Sequence, residues 1–406
     1  MGLRSQALRL LPISLGDVIA VMTFCSVALS LSFSLMAGDD PLVRVRYRAL
    51  GTADSPESSP PVIEQTVEGR VRVQAIDGGL LLEDRQGFLW PITASQTPVT
   101  ETIDPAFQEM NFEELTASLQ AEFGDGFVVV RTPHYLICTD AGPGYGEWCG
   151  QLFERLHTGF QKFWKDRLPG LEVPERPLVA IAFATRQEYQ TFQATDAGGQ
   201  VAAAQGYFSS RTNRVVLFDQ TSDELGGQSR SAADIQKLAR RNAGAIATVI
   251  HEAVHQLSFN MGLQTRYADN PLWFSEGLAM YFETPDLEAR SGWRTIGQIN
   301  PTRLDQYRSE LKQHRLEIRS LIATDDRFRD PQLAIPAYAE AWALHFFLLR
   351  TQKEKYNSYL NLLRTKAPLK WDTPEQRVAD FELAFGPLAD IESEHAKFMT
   401  RLRGGR

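Results

Sequence analysis

His251 and His255 are spaced to present two imidazoles to one ion. They belong to the run His251-Glu252-Ala253-Val254-His255. On an α-helix, residues i and i+4 lie on one face, one above the other. Neutral imidazole suits zinc, with Zn–N distances near ~2.0–2.1 Å. Glu252 shares that turn and is placed to reach a water at the ion, not the ion itself. Two histidines leave a tetrahedral site short of ligands. A carboxylate from a second helix would complete three and leave a fourth position for water.

Local signals place both helices. Ser231-Ala232-Ala233-Asp234 resembles a capping box and opens one long helix. Its apolar interior, from Ala243 to Ile250, leads into the histidine motif and predicts that this turn is buried. Gly262 suits the position just past the helix end. A second helix starts with Asn270 as N-cap and Pro271 at the first helical position, runs Leu272–Glu283 and stops before Pro285. Glu276 lies one to two turns into it.

These residues resemble the gluzincins, zinc metallopeptidases with HExxH on one helix and a glutamate ligand on the next. Leu272-Trp273-Phe274-Ser275-Glu276-Gly277-Leu278-Ala279 is similar to the L-W-[LF]-x-E-G-[FL]-A run of the aminopeptidase-like branch, and Glu283 also fits that branch. The detailed match covers His251–Glu283; more loosely, the chain from about Phe127 resembles a membrane-tethered bacterial peptidase-MA-like group. The resemblance implies that His251, His255 and Glu276 bind zinc, that Glu252 is the general base, and that the reaction is peptide-bond hydrolysis by activated water. Gluzincins commonly place a Tyr or His downstream to stabilise the oxyanion. Tyr338 is the first candidate here and His345, seven residues on, the second. Two departures matter. No G-[AG]-M-E-N segment precedes the motif, so the grip on a free N-terminus is not implied and endopeptidase action is expected. Met280 stands where thermolysin-like enzymes carry an aspartate that orients a zinc histidine, which leaves Glu283 for that task. A catalytically silent zinc-containing binding module and an amidase on peptidoglycan-like substrates use the same four residues and stay open as alternatives.

Composition narrows the setting. A hydrophobic share of 43% with 23% charged residues describes a globular chain. The net charge of −8, with no basic stripe, argues against a dedicated nucleic-acid binder. Val18–Ala37 carries no charge and has about the length that spans a bilayer. Arg4 and Arg9 precede it, which orients the bulk of the chain out of the cytoplasm. We read this segment as an uncleaved signal anchor, with a cleaved signal peptide as the other reading. Cys138 and Cys149 are the cysteines outside it, and either a disulfide or two buried thiols is compatible with them.

The expected fold class is α+β. It comprises a transmembrane helix (1–37), a linker (38–61), a small β module (62–97) and a gluzincin-like domain (112–406). Gly51–Pro61 is polar and proline-bearing. The β module follows from the alternation of Val71, Val73 and Ala75 with Arg72 and Gln74, then the turn Asp77-Gly78-Gly79 and two further short strands. It is too small for a core of its own and is expected either to act as a spacer or to dock on a neighbour. In the main domain, strands at Phe127–Arg131, Tyr135–Thr139 and Leu178–Ala184, and a hairpin around Ser210-Arg211-Thr212-Asn213, form a mixed α/β lobe. A helical lobe follows, with the HExxH helix at the junction of the two. The expected cofactor is zinc, and the expected partners are a peptide or protein substrate and the membrane.

Overall fold

The computed structural model describes residues 40–51, 61–103, 106–196, 205–221, 230–289, 292–311 and 317–402. The chain divides into two compact units: Met1–Gly146 with Arg176–Ser222, and Glu147–Glu175 with Asp223–Arg406.

The first unit holds two five-stranded sheets. One is built from β1 (Leu42–Leu50), β2 (Val62–Gln74), β3 (Leu80–Asp84), β4 (Leu89–Ile92) and β5 (Val99–Ile103), in the order β4-β3-β2-β1-β5. Alternation in β1 sends Val43, Val45 and Tyr47 inward and Arg44, Arg46 and Arg48 to the other face. There Arg44 pairs with Glu68 of β2 at 2.6 Å. Val43, Val45, Tyr47, Leu80, Leu82 and Ile92 form a core inside the module. The module therefore starts at Leu42, not at Val62, and does own a core. The polar Gly51–Pro61 segment joins two strands paired from Leu50↔Val62 onward, so it is a connection within a sheet. The turn after β2 is closed by Gly78 at φ +95°, where a side chain would be strained.

The second sheet contains β6 (Val128–Arg131), β7 (Tyr135–Thr139), β8 (Leu178–Phe183), β9 (Gly206–Ser209) and β10 (Arg214–Phe218), in the order β6-β7-β8-β10-β9. The inner strands β7, β8 and β10 run parallel. Each is buried along its whole length, which explains their unbroken apolar runs. Helices α1 (Phe112–Phe123) and α3 (Arg186–Asp196) supply Leu115, Leu119 and Tyr189 to the same core. The two sheets of this unit are tied together. Leu89 N–H donates to the Arg211 carbonyl at 2.8 Å. Arg214 lies over the Phe88 ring and makes two 2.8 Å hydrogen bonds to Glu122. The β module is thus docked, not a free spacer.

The second unit is helical among its described residues. It comprises α2 (Pro143–Lys165, all but its first turn), α4 (Ala232–Arg241), α5 (Ala243–Asn260), α6 (Leu272–Phe282), α7 (Pro301–Leu311), α8 (Ile318–Ala323), α9 (Asp326–Arg329), α10 (Ala334–Thr351), α11 (Lys353–Arg364), α12 (Pro374–Phe385) and α13 (Leu388–Arg401). Helices α6 and α10 are buried on nearly all sides. They approach closely at Gly277, where a Cβ would stand 2.9 Å from the Ala341 carbonyl and from His345. Only glycine fits there.

Three further expectations are corrected. The long helix from Ser231 is two helices, because Asn242 breaks it at φ −120°, ψ 50°. Asn270 does not cap α6; its amide turns back to the carbonyls of Thr265 and Ala268. The cap comes instead from Asp325, whose carboxylate accepts the Leu272 N–H at 3.0 Å. The α+β description stands without its membrane element: no helix among the described residues is long and apolar enough to cross a membrane. The expected span, Val18–Ala37, lies outside the described residues. Both cysteines are buried free thiols, Cys138 on β7 and Cys149 on α2.

Candidate metal centre

The helix α5 carries His251 and His255 one turn apart, as their spacing requires, with ring centroids 4.8 Å apart. It ends where the sequence marks it, with Gly262 at φ +71° and Leu263 N–H returning to the Ser258 carbonyl at 2.9 Å. The chain then reverses into α6, which presents Glu276 to the two imidazoles. His251 Nε2 lies 3.0 Å from Glu276 Oε2 and 3.2 Å from His255 Nε2, and His255 Nε2 lies 3.5 Å from Glu276 Oε1. Three ligands at zinc bond lengths in a tetrahedral array stand about 3.3–3.4 Å apart. The observed separations bracket that value. Among the described residues, this is the one cluster of three side chains fit to ligate a metal. The three side chains are 11%, 12% and 13% exposed, so the centre is largely shielded but reachable.

A second ring of contacts fixes the first. His251 Nδ1 meets Glu283 Oε2 at 3.1 Å. Glu283 follows the last residue of α6 and is itself buried. It is clasped by Arg303 Nε at 2.8 Å, Arg303 Nη2 at 3.1 Å and Asn300 Nδ2 at 3.0 Å. With Nδ1 facing Glu283, the Nε2 lone pair of a neutral His251 would point at the Glu276 carboxylate. Two acceptors at that distance require a cation between them, either a proton or a metal. Burial alone would hold the His251 imidazole neutral. The hydrogen bonds to Glu276 and Glu283, with the charges of Glu276 and Glu252, outweigh it and carry the pKa up to about 10. Burial would raise the Glu276 pKa, yet the two histidines hold it well below the usual carboxylate range. The donor set, two imidazoles and one carboxylate with a carboxylate behind the first histidine, fits zinc.

Glu252 sits beside the ligands, and its charge is felt at both His251 and the Tyr338 hydroxyl. Tyr338, half-buried on the second turn of α10, has its hydroxyl pKa raised first by the charge of Glu276, then by burial and by Glu252. Its ring is held edge-on against Phe328 with centroids 5.3 Å apart. The second oxyanion candidate is placed elsewhere. His345 is fully buried, hydrogen-bonded through Nε2 to Tyr356 at 2.8 Å and packed on Phe274 and Tyr281. Burial pushes its pKa down to about 3, so it is a neutral core residue.

Four further residues serve the site without having announced themselves in the sequence. Arg303 and Asn300 hold Glu283. Gln264 bridges the two ligand helices: its Oε1 accepts from Ser258 of α5 at 2.7 Å, and its Nε2 donates to Ser275 of α6 at 2.5 Å. Asp325 caps α6 and is in turn held by Arg377, which also clasps Asp269. Arg303, Gln264 and Asp325 had no local signal, because each acts on a residue remote in the chain or through a loop amide. Asn300 alone carried one, as the residue before Pro301 at a helix start.

A family model described as a protein of unknown function (DUF1570) matches residues 245–370, which include His251, Glu252, His255, Glu276, Glu283 and Tyr338. No curated protein matches the chain.

Proposed function

We propose that this chain is a zinc-dependent peptidase that hydrolyses internal peptide bonds of a peptide or protein substrate. One observation carries the reading: two imidazoles and a carboxylate converge at zinc-ligand separations, with a buried carboxylate anchoring the first imidazole from behind. His251, His255 and Glu276 would hold the ion. Zinc bound there supplies a Lewis acid and makes water a nucleophile near neutral pH.

The chain's own groups account for the proton movements. Glu252, beside the two histidines, accepts a proton from the attacking water and passes it to the nitrogen of the leaving amine. The Tyr338 hydroxyl stays protonated because the charge of Glu276, with burial, holds its pKa up. It is therefore a hydrogen-bond donor for the negative oxygen that develops on the scissile carbonyl. Glu283 keeps the His251 ring turned toward the ion. No activated serine or cysteine is required, and both cysteines are buried.

Glu252→Gln tests the assignment. The amide keeps the volume of the side chain and cannot take the proton. Zinc content is expected to match the parent, while peptide cleavage, read by mass spectrometry on an unstructured protein substrate, falls by about two to four orders of magnitude. Cleavage by the variant at the parent rate would overturn the mechanism. A zinc-loaded parent that cleaves no peptide would leave a zinc-containing binding module or an amidase on peptidoglycan-like substrates.

A further inference from the structure

We propose that Arg303 and Asn300 are positioning residues of the metal centre. They would fill the acceptor capacity of Glu283 so that His251 is held as its Nδ1–H tautomer, with Nε2 free for the ion. The inference rests on the metal-centre reading and extends it to residues outside both ligand helices.

A carboxylate offers about four lone-pair sites, two on each oxygen. Glu283 meets four donors. Oε1 accepts from Arg303 Nε at 2.8 Å and from Asn300 Nδ2 at 3.0 Å. Oε2 accepts from Arg303 Nη2 at 3.1 Å and faces His251 Nδ1 at 3.1 Å. The side chain is only 4% exposed, so water does not compete for these sites. Arg303 engages both oxygens through its planar fork, which fixes the plane of the carboxylate. Asn300 removes the remaining freedom of Oε1. The last lone pair of Oε2 then points at the His251 ring, and Nδ1 must donate to it. Without the fork, the carboxylate can rotate about its final bond, and the buried negative charge loses its partner.

Helix α7 thus contributes to a centre that it does not ligate. Arg303 lies in its first turn, just after Asn300, and the Asn300 side chain also accepts the Arg303 N–H at 3.3 Å. The pair is therefore pre-set by the start of the helix. An arginine is needed at this position, not any cation, because lysine supplies a point charge to one oxygen and cannot set the plane.

The test is the zinc dissociation constant of the full chain, by competition with a chromophoric chelator, for the parent, Arg303→Gln, Arg303→Lys and Asn300→Ser. Serine keeps a helix cap and removes the amide donor. Circular dichroism checks that each variant is folded. The visible spectrum of the cobalt(II)-loaded forms reports ligand geometry, which a purely structural role for α7 would not alter. Arg303→Gln is expected to weaken zinc binding by about 10–100-fold and to change the cobalt spectrum. Arg303→Lys should recover part of that loss, and Asn300→Ser should weaken binding less than Arg303→Gln. Parent affinity and an unchanged spectrum in folded Arg303→Gln would overturn the proposal. If Arg303→Gln does not fold, Asn300→Ser decides by the same two readouts. A parent chain that binds no zinc would instead remove the metal centre itself.

Discussion

Gln264→Leu separates the role of the inter-helix bridge from that of the ligands. Leucine approximates the volume of glutamine and removes its amide. Gln264 is 2% exposed and Ser258 fully buried, so water does not replace the lost partners. Ser258 Oγ loses its acceptor at 2.7 Å, and Ser275 Oγ loses its donor at 2.5 Å. Each buried polar group left unmatched costs about 1–3 kcal/mol. Ser258 lies inside α5, where its hydroxyl can turn to the carbonyl one turn earlier, so its share falls at the low end. The expected loss is about 2–3 kcal/mol, most of it at Ser275. The triple variant Gln264→Leu/Ser258→Ala/Ser275→Ala removes these three polar groups together, leaving only the half-buried Asn270 Oδ1 without its 3.4 Å Gln264 donor, and should return to within about 1 kcal/mol of the parent. Urea unfolding of the metal-free chain, followed by tryptophan fluorescence, reads both numbers from the midpoint and slope. The reasoning is refuted if the single variant lies within about 0.5 kcal/mol of the parent, or if the triple variant is no more stable than the single one.

Two other outcomes follow from the packing and charge of the same unit. Gly277→Ala adds a methyl that would stand 2.9 Å from the Ala341 carbonyl. The overlap with α10 should outweigh the gain in helix propensity, lowering stability by about 1–3 kcal/mol in thermal unfolding, and a rise would contradict it. His345 titrates at about 3 in the folded chain against about 6.5 unfolded. The unfolded state therefore takes up the proton first. The stability this residue contributes is complete above pH 6.5 and is lost as pH falls toward 3, about 2 kcal/mol of it by pH 5. Urea titrations at pH 7 and pH 5 should show a smaller acid loss in His345→Gln than in the parent, and equal losses would refute the assignment.

The site was legible in the sequence where its geometry is local. The separation of His251 and His255 is a property of one helix, and the Glu276 position follows from the helical period of a second; the start signal read at Asn270-Pro271 was one residue early, since Pro271 stands at ψ 130° and the helix begins at Leu272. The structure brings these three together with Glu283. What the sequence did not yield was long-range. Asp325 caps α6 from 53 residues away, and Arg303 reaches Glu283 across 20. The break at Asn242 was hidden because Ser231 and the apolar run from Ala243 each fit one continuous helix. Strand β1 had a clear two-residue alternation in Val43-Arg44-Val45-Arg46-Tyr47-Arg48. Its arginines carry no local sign of a partner strand; in the sheet they form an outward row facing Glu64 and Glu68 of β2. The parallel strands were recognisable from their apolar runs, whereas docking of the β module depends on Arg214 and Leu89, side-chain and backbone contacts with no local pattern.

The central claim is that His251, His255 and Glu276 form one zinc site. Its most direct test is the metal content of the purified chain and its Glu276→Ala variant after exposure to equimolar zinc and removal of excess. The account predicts close to one zinc per parent chain, and a folded variant that retains little. A folded parent that takes up no zinc, or a variant that holds it as tightly as the parent, would contradict it.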